Sequence, residues 1–422
     1  MSTPAHAGQT LGKLMLGGIG RVISQRDFAI YWASNGFNTV GRWMYRVAVA
    51  WLAWELTEST VWLGIVAFAE SIPLVVFSVI AGAVADRIGY IRITILAQTA
   101  TAIAASVFAL MTLMNLITIE LVVVFALLIG TLESLTTPAR MALVHALVAK
   151  DDLAAAIGLT GATFNGSRFV GPAIAGVLIS VSGSGVVLAV VAFTFMQFCI
   201  ALLVIKVEEP KRTPGPWRDI FADMAMGIEY GFSHPGIRFL LIMLGITGLF
   251  IRPVIELMPG FATQVFDTGS DGFAILMSAI GFGAMVSCLW VGMRGKTEGL
   301  TNLVTLSLLV QGIGLVASTQ AGQVWIATIS FAVVGFAMLV GGVGSQTLIQ
   351  NTVASDVRAR VMSLFIVISW GLPAFGALAA GWIASYAGME ATIAAGGVLT
   401  VALWLWARRE AIRLHADLEK KD

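Results

Sequence analysis

Charge is what this chain is short of. Only 12% of its 422 residues are Asp, Glu, Lys or Arg, about half the ~25% of an ordinary soluble domain. So few charges cannot cover a water-facing surface, which excludes a soluble globular enzyme. The 58% of hydrophobic residues excludes disorder. A net charge of +1 offers no polyanion-binding surface, so nucleic acid is excluded as a partner. Two cysteines, Cys199 and Cys288, both stand in apolar runs and supply neither a disulfide framework nor a CxxC metal site. The four histidines (His6, His145, His234, His415) are scattered and form no HExxH pair. No metal and no cofactor is expected. What the chain has in abundance is long apolar runs, and these make it an integral membrane protein.

A helix that crosses a bilayer needs roughly 20 apolar residues. Twelve segments qualify, at about 28–55, 61–85, 92–114, 118–140, 155–181, 184–205, 237–258, 272–292, 300–318, 323–347, 361–384 and 388–407. They are dense rather than alternating, which excludes a membrane β-barrel. Trp51, Trp54 and Trp62 cluster near the ends of the first two spans, where interfacial anchors are expected. Four of the 25 Lys and Arg lie inside spans, and the other 21 fall in the two chain ends, the even-to-odd loops or their flanks. Positive residues stay inside, so both termini are expected in the cytoplasm and the chain in the inner membrane. The piece before the first span, with Lys13, Arg21 and Arg26, is too weakly apolar for a secretory h-region, and no cleaved signal is expected.

The largest polar break runs from Lys206 to Gly236 and contains Glu208, Glu209, Lys211, Arg212, Pro214 and Pro216. After it, Trp217 to Phe232 alternates acidic and apolar positions at helical spacing, as an interfacial helix does. This divides the chain into a cytoplasmic segment 1–27, a six-helix bundle 28–205, a linker 206–236, a second six-helix bundle 237–407 and a cytoplasmic tail 408–422. Internal similarity points to duplication. Gly171-Pro172-Ala173-Ile174-Ala175-Gly176 aligns with Gly376-Ala377-Leu378-Ala379-Ala380-Gly381, and Gly82 to Gly89 aligns with Gly292 to Gly299. Offsets of about 205 and 210 at equivalent loops are what parallel repeats give, with a site at their interface. The expected fold class is an all-α integral membrane protein of twelve transmembrane helices in two six-helix repeats.

Between spans 2 and 3 stands Gly82-Ala83-Val84-Ala85-Asp86-Arg87-Ile88-Gly89-Tyr90-Ile91-Arg92. Glycines let helix ends approach closely. Asp86 at a helix C-terminus opposes the dipole and wants a cation, and such a contact can latch one conformer and break in another. The stretch resembles the loop 2–3 motif of the major facilitator superfamily, Gly-x-x-x-Asp-Arg-x-Gly with trailing basic residues. Tyr90 stands where that pattern has a basic residue, leaving Arg92. The second copy, Gly292 to Gly299, has lost the Asp-Arg pair, so the gate is placed at Gly82, Asp86, Arg87, Gly89 and Arg92. Gly41-Arg42-Trp43-Met44 with Trp51-Leu52-Ala53-Trp54-Glu55, Thr137-Pro138-Ala139-Arg140, Ser167-Arg168-Phe169-Val170-Gly171-Pro172 and Arg358-Ala359-Arg360-Val361-Met362-Ser363 resemble the branch containing enterobactin exporters and macrolide efflux proteins. The resemblance covers about residues 25 to 407. It implies a secondary transporter, usually a proton-coupled exporter. No GxxxxGK[ST] is present, so no nucleotide is expected and the energy comes from an ion gradient or from the substrate's own.

Seven charged residues fall within spans: Arg42, Arg46, Glu70, Glu133, Arg168, Arg252 and Glu256. Each is a functional candidate because charge in a bilayer is costly. Arg46 and Glu70 lie at matching depth on adjacent spans and are expected to pair. Arg42, Glu133 and Arg168 meet near the midplane. Arg42 and Arg46 share a helix face, with Asn35 and Asn38 on or near it, and this stripe should face a watery cavity. Arg252 and Glu256 are also four apart and pair with each other on one reading, with Pro253 bending the helix between them.

The residues alone leave alternatives open. Arg46–Glu70 serves either as an ion pair between helices or as a substrate contact, and Arg168 either supports the Gly-Pro bend or touches ligand. Glu133 is the first candidate for a proton carrier and Glu70 the second. The tally of four cations against three anions favours an anionic substrate. Trp32, Phe37, Trp43, Phe164 and Trp370 either line a pocket or pack. The expected function is proton-coupled export of a small siderophore-like or drug-like molecule by a monomer in the lipid bilayer. Uptake of an organic anion, or a non-transporting receptor or assembly protein on the same fold, are the competing readings.

Overall fold

Apolar runs without turn residues become helices here because a helix satisfies its own backbone N–H and C=O groups where no water can. The computed structural model describes residues 17–207, 218–295, 297–354 and 357–419, apart from the side chains at 17, 78–80, 82, 83, 85, 86, 218–225 and 359. No strand occurs among the described residues. Ten helices there are long and apolar enough to cross a membrane. One of them, Lys150–Val204, carries two spans, because Gly183 breaks it with φ 79° and ψ 169°. The helix Arg26–Thr57, made less apolar by its arginines, packs within the same bundle and completes twelve.

The spans are 1 (Arg26–Thr57), 2 (Thr60–Ile88), 3 (Tyr90–Leu113), 4 (Ile119–Leu147), 5 and 6 (Leu153–Val204, either side of Gly183), 7 (Pro235–Phe266), 8 (Ser270–Arg294), 9 (Leu300–Thr319), 10 (Val324–Thr352), 11 (Arg358–Ala387) and 12 (Met389–Leu418). A linker helix, Arg218–Ser233, lies between spans 6 and 7. Spans 1 to 6 pack mainly on one another, as do spans 7 to 12; span 2 meets span 11 and span 5 meets span 8 across the divide.

The duplication is written in the backbone. Gly183 and Gly388, 205 positions apart, turn the chain from span 5 to 6 and from span 11 to 12 with nearly equal angles, the second at φ 84° and ψ 160°. Side-chain-bearing residues are strained there, so glycine is required. Gly89 and Gly299, 210 apart, precede spans 3 and 9 at φ 99° and 71°. Glu58 and Asp267 close spans 1 and 7 in left-handed caps at φ 46° and 50°.

At the end of the bundle opposite the chain termini the two halves meet tightly, and small residues make this possible. Thr60 donates to the Gly381 carbonyl at 2.8 Å. A Cβ at Gly64 would fall 2.7 Å from the Ala377 carbonyl, and one at Gly176 would strike Ala274. Trp51 stacks on Phe273 at 5.7 Å, and Trp54 is buried against Gly260. These two tryptophans were expected at the membrane interface. They form an apolar plug between the halves instead, because span 1 leans against spans 7 and 8.

The first and last described segments are both tied to the bundle by side-chain contacts. A short helix, Gly17–Ile23, docks through Arg21 on Asp152 at 3.0 Å, with Gln25 donating to the same carboxylate. The segment expected as a tail continues as helix to Leu418, which packs against Gly236. Glu419 then accepts from the N–H groups of Gly299 and Thr301 at 2.6 and 2.9 Å. Partial burial pushes its carboxyl up, but those donors win and hold it below the usual carboxylate range.

Candidate functional site

The seam closed at one end leaves a cavity of about 710 Å³ between the halves, extending from mid-depth toward the end that holds the termini. Span 1 supplies Arg42, Trp43 and Arg46, span 2 Glu70, span 4 Glu133 and span 11 Trp370. Gly130 brings span 4 against span 2 at this level, since a Cβ there would sit 2.3 Å from the Glu70 carbonyl.

Glu133 is held from two sides. Arg42 reaches it at 3.0 Å and Arg140 at 2.5 Å through the same oxygen. Arg140 also donates to Thr136 at 2.6 Å. Arg140 was expected only as the basic end of span 4, yet it is 7% exposed. The signal that would have found it was its spacing from Glu133: seven residues is two helical turns, so both share one face. Protonating Glu133 would leave the buried Arg140 and the half-buried Arg42 without their shared anion.

Two expected pairings are corrected. Arg46 does not pair with Glu70. It pairs with Glu256 of span 7 and so bridges the two halves. Glu256 in turn does not satisfy Arg252. A π-helical turn, Thr247–Ile251, closed by the Arg252 N–H on the Thr247 carbonyl at 3.0 Å, stands just before Pro253. That wide turn and the bend send Arg252 to the Ser369 carbonyl and over the face of Trp370 at 5.3 Å. The four-residue rule holds for a regular helix, and here the helix changes type. Glu70 lines the cavity with no ion pair or hydrogen bond among the described residues.

Arg168 does not share the wall with Arg42 and Glu133. It lies over the Trp43 ring at 5.3 Å, while Arg46 approaches the same ring at 5.9 Å. Arg168 and Arg252 both line a second, smaller cavity of about 190 Å³ that shares Trp370 with the first. Asn38 is not on a cavity wall. It is fully enclosed and accepts from Gln98 of span 3 at 3.0 Å, which ties helices within the first half. Asn35 is half-buried and lines neither cavity. Of the aromatic candidates, Trp43, Phe164 and Trp370 line the main cavity. Trp32 donates to Thr163 at 2.8 Å, and Phe37 is 67% exposed and lines neither cavity. In the gate motif, Gly82 stands within the helix of span 2 and the side chain of Asp86 lies outside the described residues; Arg87 and Arg92 are exposed, and Gly89 makes the positive-φ turn.

Two homologous bundles around one charged, semi-enclosed cavity define a transporter of the major facilitator type rather than an enzyme. The chain belongs to the transmembrane secretion effector family, which residues 22–421 match. It is 25% identical over 383 residues to the staphyloferrin A transporter of Staphylococcus aureus, covering 88% of this chain and 93% of that one. It is 24% identical to the multidrug efflux pump Tap of Mycolicibacterium fortuitum, covering 83% and 87%. It is 23% identical to macrolide efflux protein A of Streptococcus pyogenes, covering 80% and 84%. Among solved structures, a POT family transporter in complex with 5-aminolevulinic acid superposes with a TM-score of 0.73 at 13% identity over 92% of this chain and 97% of its own. A bacterial homolog to the human lysosomal transporter Spinster, inward-facing and unoccupied, gives 0.68 at 14% identity over 94% and 98%. At such identities these two share the fold.

Proposed function

We propose that this protein exports a small organic molecule across the inner membrane in exchange for protons, with both termini in the cytoplasm. The bias of Lys and Arg toward the terminus-bearing end supports that orientation. In it, the seam of Thr60, Gly64, Trp54 and Gly176 closes the outer side, and the main cavity reaches toward the cytoplasm. The observation that carries the reading is the Arg46–Glu256 bridge across the halves, with Glu70 facing the same cavity. When the halves part on the outer side, Glu256 is drawn from Arg46. Glu70, on the same half as Arg46, is then the anion at hand. Glu256, freed from Arg46 and open to the outer side, takes up a proton there, and it gives the proton up toward the cytoplasm when the halves close and Arg46 returns to it from Glu70. The names of the matched relatives, a staphyloferrin A transporter, a multidrug efflux pump and a macrolide efflux protein, support a small-molecule cargo.

Glu133 is reassigned from proton carrier to structural anion, because two arginines already share it. Purified protein in liposomes bearing a pH gradient is the test, with the fluorescent carboxylate dye fluorescein as cargo. Wild-type protein moves the dye against its gradient when protons flow the other way. Glu70→Gln is expected to lose at least tenfold of the pH-driven flux and to keep flux down a dye gradient. Undiminished pH-driven transport in Glu70→Gln would remove Glu70 from the mechanism.

A further inference from the structure

The buried charges are unevenly partnered. Arg42 and Arg140 share Glu133, and Arg46 holds Glu256. Arg168 and Arg252 have no carboxylate within ion-pair distance among the described residues. These two are the arginines on the smaller cavity, and they come from opposite halves, one from span 5 and one from span 7. What holds each in place leaves its charge intact. Arg168 lies over Trp43, and Arg252 lies over Trp370 and donates to the Ser369 carbonyl. A cation–π contact orients a guanidinium without neutralising it. An unpaired charge at this depth is costly, and two of them facing one cavity from opposite halves suit an anionic group there.

The rest of the wall suits the same kind of group. Thr247, Ser345 and Gln346 offer hydroxyl and amide donors to the same space, while the Ser307 hydroxyl is already given to the Val304 carbonyl. Thr247 opens the π-helical turn that places Arg252, and such turns recur at functional sites. About 190 Å³ holds an acid group and a short stem, given ~30 Å³ for one liquid water. Trp370 lines both cavities, so a molecule can lie with its acid in the smaller and its apolar body in the larger.

Resting on the transporter reading above, we infer that the smaller cavity binds the carboxylate end of the transported molecule between Arg168 and Arg252. The cargo is thereby an organic acid with an apolar or aromatic body. Because the two arginines belong to opposite halves, the bound carboxylate ties the halves together at mid-depth and is released when they rock apart. Binding energy that differs between two conformers is what lets a substrate shift them.

The experiment is calorimetric titration of the full chain in phosphatidylcholine nanodiscs, which supply no anionic lipid to compete. Three probes share a ring system and differ in charge: naphthoate, naphthamide and trimethylnaphthylammonium. Naphthoate is expected to bind at least tenfold tighter than either of the others. Arg168→Gln and Arg252→Gln should each abolish that preference while leaving naphthamide affinity within about twofold of wild type, which shows that the fold survives. Arg168→Lys and Arg252→Lys should keep part of the preference. Should a glutamine variant fail to fold, the wild-type preference and the lysine variants decide. Equal affinities for naphthoate and naphthamide, no naphthoate binding at millimolar concentration, or equal losses for both probes in the variants overturn the assignment. Loss of pH-driven dye flux with the naphthoate preference intact counts against export and not against the subsite. Intact flux without the preference counts against the subsite alone.

Discussion

The two cavities share a tryptophan and differ in how their arginines are used. On the main wall both arginines of span 1 have a carboxylate, Arg42 closing on Glu133 and Arg46 on Glu256, and Arg140 of span 4 shares Glu133. Around the smaller cavity Arg168 and Arg252 rest on ring faces and a carbonyl. Paired charges in a low-dielectric interior hold helices in one arrangement, whereas unpaired ones wait for a partner that arrives. Architecture and recognition are thus divided between neighbouring regions only one side chain apart.

The sharpest way to break the contrast is to unpair the paired side. Glu133→Gln leaves Arg42 and Arg140 sharing no anion, and removing one member of a buried pair costs ~3–5 kcal/mol. Thermal unfolding in detergent should show the loss, and adding Arg140→Gln should recover part of it. A change under ~1 kcal/mol would mean that the triad is not a structural clamp. By contrast, the Glu419 cap at the solvated end of the bundle should matter little. Glu419→Gln is expected to remove ~0.5 kcal/mol or less, because the carboxylate is largely in water. Its folded-state pKa is depressed. The contribution is therefore present above the unfolded value of about 4.3 and fades as pH falls through the lower folded value. Stability measured from pH 7 down to pH 3 should show a slightly flatter acid limb in the variant, and an unchanged slope would contradict the cap.

Hydropathy alone located the spans, since twenty apolar residues have few other uses. The duplicated glycines were equally legible, and the same offsets reappear as positive-φ turns at Gly183 and Gly388. Partners of the buried charges were harder to read. Counting residues from a helix end places Arg46 and Glu70 at one depth, but depth does not say which half of the molecule leans on which. Glu256 arrives from 210 residues away through packing that no local pattern records. Arg252 was misread because a π-helical turn interrupts the spacing on which the four-residue rule depends. Asn38 shares a face with the arginines in a helical projection, yet span 3 covers it with Gln98. Tryptophans near span ends look alike whether they meet lipid headgroups or another bundle, and here Trp51 and Trp54 meet spans 7 and 8.

Alternating movement of the two halves, with Arg46–Glu256 holding the outer side shut, is the claim on which the transport reading stands. It is open to direct measurement. With Cys199 and Cys288 replaced by serine, spin labels at the exposed positions Glu58 and Glu390 sit on opposite halves at the closed end. Pulsed dipolar spectroscopy then reads the distance between them. Glu256→Gln should shift the distribution toward a longer distance, raising the open-to-closed ratio by about 5–150-fold, the range of a 1–3 kcal/mol coupling. The exchange Arg46→Glu with Glu256→Arg should bring the short distance back. A distribution that stays short in Glu256→Gln would show that this bridge does not govern the closed end.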